Sequence, residues 1–199
     1  MYDFEKYENL IRSRMSEYRF VHSMNVAKRA KELARIYALD ENKAYLTGIL
    51  HDVTKETDYA EQEKYMDNLG IIPTELEKSN KLVYHQISGA CFVKSELGID
   101  DAEILGAIRY HTTGRADMTE FEMLIYLADL TSEERSYPDV EKVRELADNS
   151  LENAMLYATR FTITDLAEKN RIIHPDTLYC YNWVLGKADI ENTENQLQS

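Results

Sequence analysis

The sequence predicts an all-α domain of roughly eight to ten helices, and three observations carry that expectation. Glycine and proline are scarce, at 7 and 3 of 199 residues, which leaves little material for the tight turns of sandwiches, barrels and glycine-rich nucleotide loops. Apolar residues recur at intervals of three and four along most of the chain, the spacing of a half-buried helix. No strand pattern competes with them.

The first strong repeat runs from Tyr18 to Leu39, with Val21, Met24, Val26, Ala30, Leu33, Ala34 and Tyr37 recurring along it. Charged residues from Lys28 to Arg35 fill the other face. Asp40 reads as the N-cap of a helix from Glu41 to about Leu50, because a short side-chain oxygen there can accept from the free N–H groups of the first turn. A helical stretch over Asp58–Leu69 stops at Gly70, and Pro73 opens a short helix or turn. Lys81–Leu97 is helical up to Gly98, and Asp100 or Asp101 caps Ala102–Tyr110. Thr119–Leu130 is apolar on several sides, the mark of a buried central helix. Pro138 precedes a helix from Asp139 to Asn149, and a long amphipathic one covers Leu151–Lys169. Asp176 or Thr177 starts the last, through Leu185. One domain over 1–188 and a polar tail over 189–199 are expected.

The chain carries a formal net charge of −13. Such a surface repels polyphosphate at long range, which argues against a nucleic-acid-coating protein and requires that any phosphate substrate be held by local cations or metal. No apolar run approaches the ~20 residues of a membrane span, and the acidic start Met1–Glu5 lacks the order of a signal peptide. Cys91 and Cys180 form no CxxC pair, so a reduced, cytoplasmic protein is expected.

Of the five histidines, His22, His51, His85, His111 and His174, four fall inside or at the end of apolar helical segments. One alone is ordinarily a hydrogen-bonded core residue. Two carboxylates share the anomaly. Asp129 follows Leu124–Ala128 in the most apolar helix, and Asp52 follows His51 at the end of the run Leu46–Leu50. A buried carboxylate costs several kcal/mol unless it is paired or coordinates a metal. Adjacent helical residues point about 100° apart, so His51 and Asp52 reach one ion only near a helix end. Taken together, His22, His51, Asp52 and Asp129 read as a metal cage assembled from three helices. Imidazole and carboxylate without thiolate suit a catalytic Fe, Mn or Zn ion rather than a structural zinc. His85 and His111 either complete a second ion bridged by Asp52 or contact phosphate.

The order His22 … His51-Asp52 … Asp129 on an all-α chain resembles the HD-domain metal phosphohydrolases. The segments His51-Asp52-Val53-Thr54-Lys55, His111-Thr112-Thr113-Gly114, Ala128-Asp129 with Arg135 and Tyr137-Pro138, and Ile173-His174-Pro175-Asp176-Thr177 together resemble the YqeK-type family of bacterial symmetrical bis(5'-nucleosyl)-tetraphosphatases. Two departures stand out: Leu130–Arg135 lacks a proline frequent there, and Asp139 occupies a position where glycine is common.

The resemblance implies an HD-domain helical bundle that hydrolyses diadenosine tetraphosphate at its centre to two ADP, with bound iron or a similar ion. It implies His22, His51, Asp52 and Asp129 as metal ligands, with His22 and Asp129 also near the nucleotide. Lys55, His85, His111, Thr112 and Arg135 would line the phosphates, and Arg171, Ile172, Ile173, His174, Pro175 and Asp176 would close over the nucleoside. In that chemistry a metal ion acidifies a water for attack on phosphorus. Lys55 and Arg135 neutralise charge developing on phosphate and leaving ADP, and His111 hydrogen-bonds phosphate or gives a proton to the leaving group. A small-molecule nucleotide is the expected partner, and the sequence leaves a homodimer open. Two other readings keep the fold: a phosphohydrolase of another nucleotide or phosphodiester, and a non-catalytic nucleotide-binding helical protein.

Overall fold

The computed structural model describes residues 2–188; the expected tail over 189–199 lies outside them. Among the described residues the secondary structure is helical, with no strand. The order is α1 (Phe4–Arg14), α2 (Glu17–Ile36), α3 (Glu41–Leu50), α4 (Tyr59–Asp67), α5 (Glu75–Ser79), α6 (Lys81–Ser95), α7 (Ala102–Tyr110), α8 (Glu120–Thr131), α9 (Val140–Asn149), α10 (Leu151–Glu168) and α11 (Pro175–Leu185). That is one helix more than the expected range. The addition is α1, whose buried stripe is only Tyr7 and Ile11, too thin to stand out as a periodic pattern.

Local chemistry sets the boundaries. Asp40 accepts from the N–H groups of Asn42 and Lys43, and Asp101 from those of Glu103 and Ile104. Thr119 and Glu122 form a reciprocal capping box that starts α8. At α11 the expected cap is corrected: His174, not Asp176 or Thr177, is the N-cap and accepts from the Asp176 N–H, with Pro175 as the first helical residue. Proline fits there because its missing N–H would be unpaired anyway. Asp139, where the resemblance leads one to expect glycine, has a φ of +67°. That is left-handed backbone, which glycine adopts without the Cβ clash of other residues.

Helix α2 is the spine. It packs along α3 and α8 and divides the apolar interior. Val26, Ala30, Leu33 and Ala34 join a cluster built from α8 through α11, while Phe20 and Ala27 join one built from α1, α3, α4, α6 and α7. Gly48 makes the α2–α3 approach possible. A Cβ built there would lie 2.5 Å from the Ala27 Cα, so α3 rests directly on the backbone of α2. The seam between the two clusters is where the polar residues collect.

Candidate metal centre

Each expected cage residue arrives on its own piece of backbone. His22 is on α2, His51 is the C-cap of α3, Asp52 opens the turn that follows, and Asp129 lies in the last turn of α8. The α3 helix ends where the His51-Asp52 pair needs it to end. Beyond Leu50 the chain continues in three-residue turns, with Val53 N–H on the Leu50 carbonyl and Lys55 N–H on the Asp52 carbonyl at 2.8 Å. Thr54 fastens this turn to α6 by donating to the His85 carbonyl at 3.0 Å.

Donor atoms converge across the seam. One ligand atom from each of His22, His51 and Asp129 lies within 4.8 Å of the others, and the same is true of His51, Asp52 and His111. Three of these atoms, His22 Nε2, His51 Nε2 and Asp52 Oδ1, are buried without a hydrogen-bond partner. Orphaned buried polar atoms are costly and rare; His51 Nε2 belongs to both groups, His22 Nε2 to the first and Asp52 Oδ1 to the second, an arrangement that fits cations along the seam. The tautomers agree. His51 Nδ1 and His111 Nδ1 each lie 2.8 Å from a carbonyl one turn back, of Gly48 and Ile108. With the proton held on Nδ1, each Nε2 keeps its lone pair.

Electrostatics keeps the ligands in binding form. Burial pushes His51 down to about 4 and His85 to about 3, so both are neutral. Burial alone would raise Asp52 and Asp129. The surrounding imidazoles hold Asp52 well below the usual carboxylate range, and His22 with Arg135 does the same for Asp129. His22 differs: burial disfavours its charge, yet Asp129 and Glu134 outweigh it and raise it to about 9, so a cation would displace a proton there. Its Nε2 stands 3.1 Å from Asp129 Oδ1, without the alignment of a hydrogen bond.

The other expected residues sort by distance. His85 Nε2 lies 3.1 Å from Asp52 Oδ1 and 3.0 Å from His111 Nε2. Lys55 Nζ reaches His85 at 3.0 Å and stands 3.9 Å from Asp52 Oδ1. Thr112 Oγ1 is 3.3 Å from His85 Nε2, and Gln86 positions it by accepting from the Thr112 N–H. Arg135 pairs with the Asp129 carboxylate and donates from Nε to the Asp129 carbonyl at 2.9 Å. Its loop is held by Arg144, which donates to the carbonyls of Thr131, Ser132 and Arg135 at 3.1, 2.7 and 3.1 Å. Among the described residues no hydrogen bond or ion pair joins the Arg171–Asp176 segment to the cage. Ile172 and His174 instead line a neighbouring cavity of about 120 Å³ together with Thr112, and Arg171 and Pro175 are exposed.

Two residues were missed in the sequence. Glu134 Oε1 lies 2.5 Å from His22 Nδ1, and its other oxygen accepts from Asn25 at 2.9 Å. Arg19 Nη1 pairs with Asp52 Oδ2 at 2.9 Å. Only their chain positions hinted at this: Arg19 stands three residues before His22, and Glu134 is next to Arg135.

Comparison with known proteins agrees with this arrangement. The HD domain family model matches residues 19–134, a span that contains all four cage residues. Symmetrical bis(5'-nucleosyl)-tetraphosphatases from Halalkalibacterium halodurans and Bacillus subtilis are 39% and 35% identical, over 88% of this chain and 94% of each relative. The chain belongs to the YqeK-type HD-domain family. A solved structure from Clostridium acetobutylicum, described as a predicted HD superfamily hydrolase involved in NAD metabolism, superimposes with a TM-score of 0.90 at 30% identity. The match covers 94% of this chain and all of that one. This HD-domain protein is thus all-α as expected, and its family implies a divalent cation at the His and Asp groups described above. No helix among the described residues is long and apolar enough to cross a membrane.

Proposed function

We propose that this chain is a metal-dependent hydrolase that cuts diadenosine tetraphosphate symmetrically into two ADP, in a bacterial cytoplasm. The reading is carried by the three orphaned donor atoms of His22, His51 and Asp52 converging at one seam, in a chain whose 35–39% identical relatives bear that activity in their names. His22, His51, Asp52 and Asp129 hold the cation, which is iron, with manganese and zinc as alternatives suited to the same nitrogen and oxygen donors. When bound, it supplies Lewis acidity toward a phosphoryl oxygen and a water acidic enough to ionise near neutral pH.

The chain's own residues supply the rest. Lys55 and Arg135, each half-buried beside a cage carboxylate, concentrate positive charge locally in a chain whose net charge is −13. There they stabilise charge developing on the phosphates and the leaving ADP. Thr112 donates its hydroxyl to a phosphate oxygen. His111 has its Nδ1 proton committed to Ile108, which favours its Nε2 as a ligand, with His85 and Asp52, for a second ion over proton donation to the leaving group. Arg171 through Asp176 flank the nucleoside, which enters the cavity beside Thr112.

Product analysis tests the reading. Metal-loaded protein incubated with diadenosine tetraphosphate should release ADP alone. AMP with ATP, or no turnover beside fast cleavage of a mononucleotide, rejects it.

A further inference from the structure

We propose that the first turns of α2, through Tyr18, Arg19 and Val21, receive the second nucleoside diphosphate arm of the substrate. The inference rests on the tetraphosphate reading above. A substrate cut at its midpoint has two equal arms, and the cavity of about 120 Å³ beside Thr112 has no room for both. The cage itself shows where the other half goes, because Asp52 divides it. Oδ1 faces His85 at 3.1 Å, His111 at 3.5 Å and Lys55 at 3.9 Å, the side that leads through Thr112 to the cavity. Oδ2 faces the opposite way, to Arg19 at 2.9 Å and His22 at 3.9 Å.

Arg19 is built as an anion anchor with capacity to spare. Its Nη1 is committed to Asp52 and its Nε is buried, but its Nη2 forms no hydrogen bond among the described residues and the side chain stays 24% exposed. A guanidinium with donors left over is the group that takes a diphosphate in bidentate fashion. The same guanidinium stands 5.7 Å from the Tyr18 ring centroid. Tyr18 is 68% exposed, and Val21, one turn along the same face, is 44% exposed. An aromatic face left in water beside a cage-bound cation has the makings of a platform for a base, since every base offers a π-face to stack. Arg19 then holds phosphate, Tyr18 the base, and Val21 the edge of the ring.

Calorimetry on the metal-loaded protein tests this, with ADP and with an inert dinucleoside tetraphosphate whose central bridging oxygen is replaced by methylene. Wild type should bind the two-armed analogue at least tenfold more tightly than ADP. Tyr18→Ala, at an exposed position, should reduce that advantage to about twofold or less, and Tyr18→Phe should keep it. Arg19→Gln should weaken the analogue more than ADP. A tenfold advantage that survives in Tyr18→Ala overturns the proposal. So does a wild type that releases ADP from the natural substrate yet shows no preference for the analogue. A wild type that cleaves no dinucleoside tetraphosphate overturns the functional reading as well.

Discussion

Glu134 Oε1 lies 2.5 Å behind His22 Nδ1, on the far side of the imidazole from the cage. The carboxylate thereby accepts from Nδ1 and turns Nε2 toward Asp129. It is held in turn by Asn25 and by Ser132, which donates at 2.7 Å. Burial would raise Glu134, but the hydrogen bonds from His22, Ser132 and Asn25 bring it down to about 2, so it is ionised near neutral pH. Outer carboxylates of this kind contribute roughly 10–100-fold to metal affinity. Glu134→Ala should therefore bind a divalent ion about 10–100-fold more weakly in a metal titration, with an unchanged far-UV spectrum. An affinity within threefold of wild type rejects the role.

Asp52 meets four histidines and Arg19 through two oxygens. Asp52→Ala should leave a folded helical protein and reduce turnover of the tetraphosphate below about a tenth of wild type. Circular dichroism and steady-state rates check the two halves of that statement. A mutant that turns over faster than this contradicts the role of the carboxylate.

Gly48 carries a different sort of demand. A methyl there meets the Ala27 Cα at 2.5 Å and its backbone N at 2.8 Å, atoms that cannot rotate away. Overpacking of this kind costs typically 1–3 kcal/mol. Gly48→Ala should lower stability by about that amount in denaturant melts and also weaken metal binding, because α2 carries His22 and α3 carries His51.

Chelation should lower the melting temperature. A ligand present at about 100 times its dissociation constant stabilises the folded state by roughly 2.7 kcal/mol. For a chain of this size each kcal/mol moves the midpoint by about 2–4 °C, so a chelator should lower it by about 5–11 °C. Thermal scans with and without the metal measure the shift, and coincident curves would show that no ion is bound at the seam.

The sequence was most informative where a polar residue broke an apolar rule. Asp129 in the Leu124–Ala128 run and His51-Asp52 at the end of Leu46–Leu50 stand out because burying them is costly, and the structure brings their side chains together with His22. Lys55 was legible from its spacing to Asp52. Glu134 was not, because Ser132-Glu133-Glu134-Arg135 has the composition of a solvated turn, and only the packing of α2 against that loop turns Glu134 inward. Arg19 was hidden for the same reason on the polar side of α2. The Arg171–Asp176 segment came from family resemblance alone, and its place beside Thr112 depends on how α10 and α11 pack.

The division of the apolar interior into two clusters has an evolutionary corollary. Asp129 belongs to a helix of one cluster, and His51, Asp52, His85 and His111 are anchored in the other, so a cation held at the seam would double as a rivet between halves. Improvements in ion affinity and in heat resistance should then be inherited together.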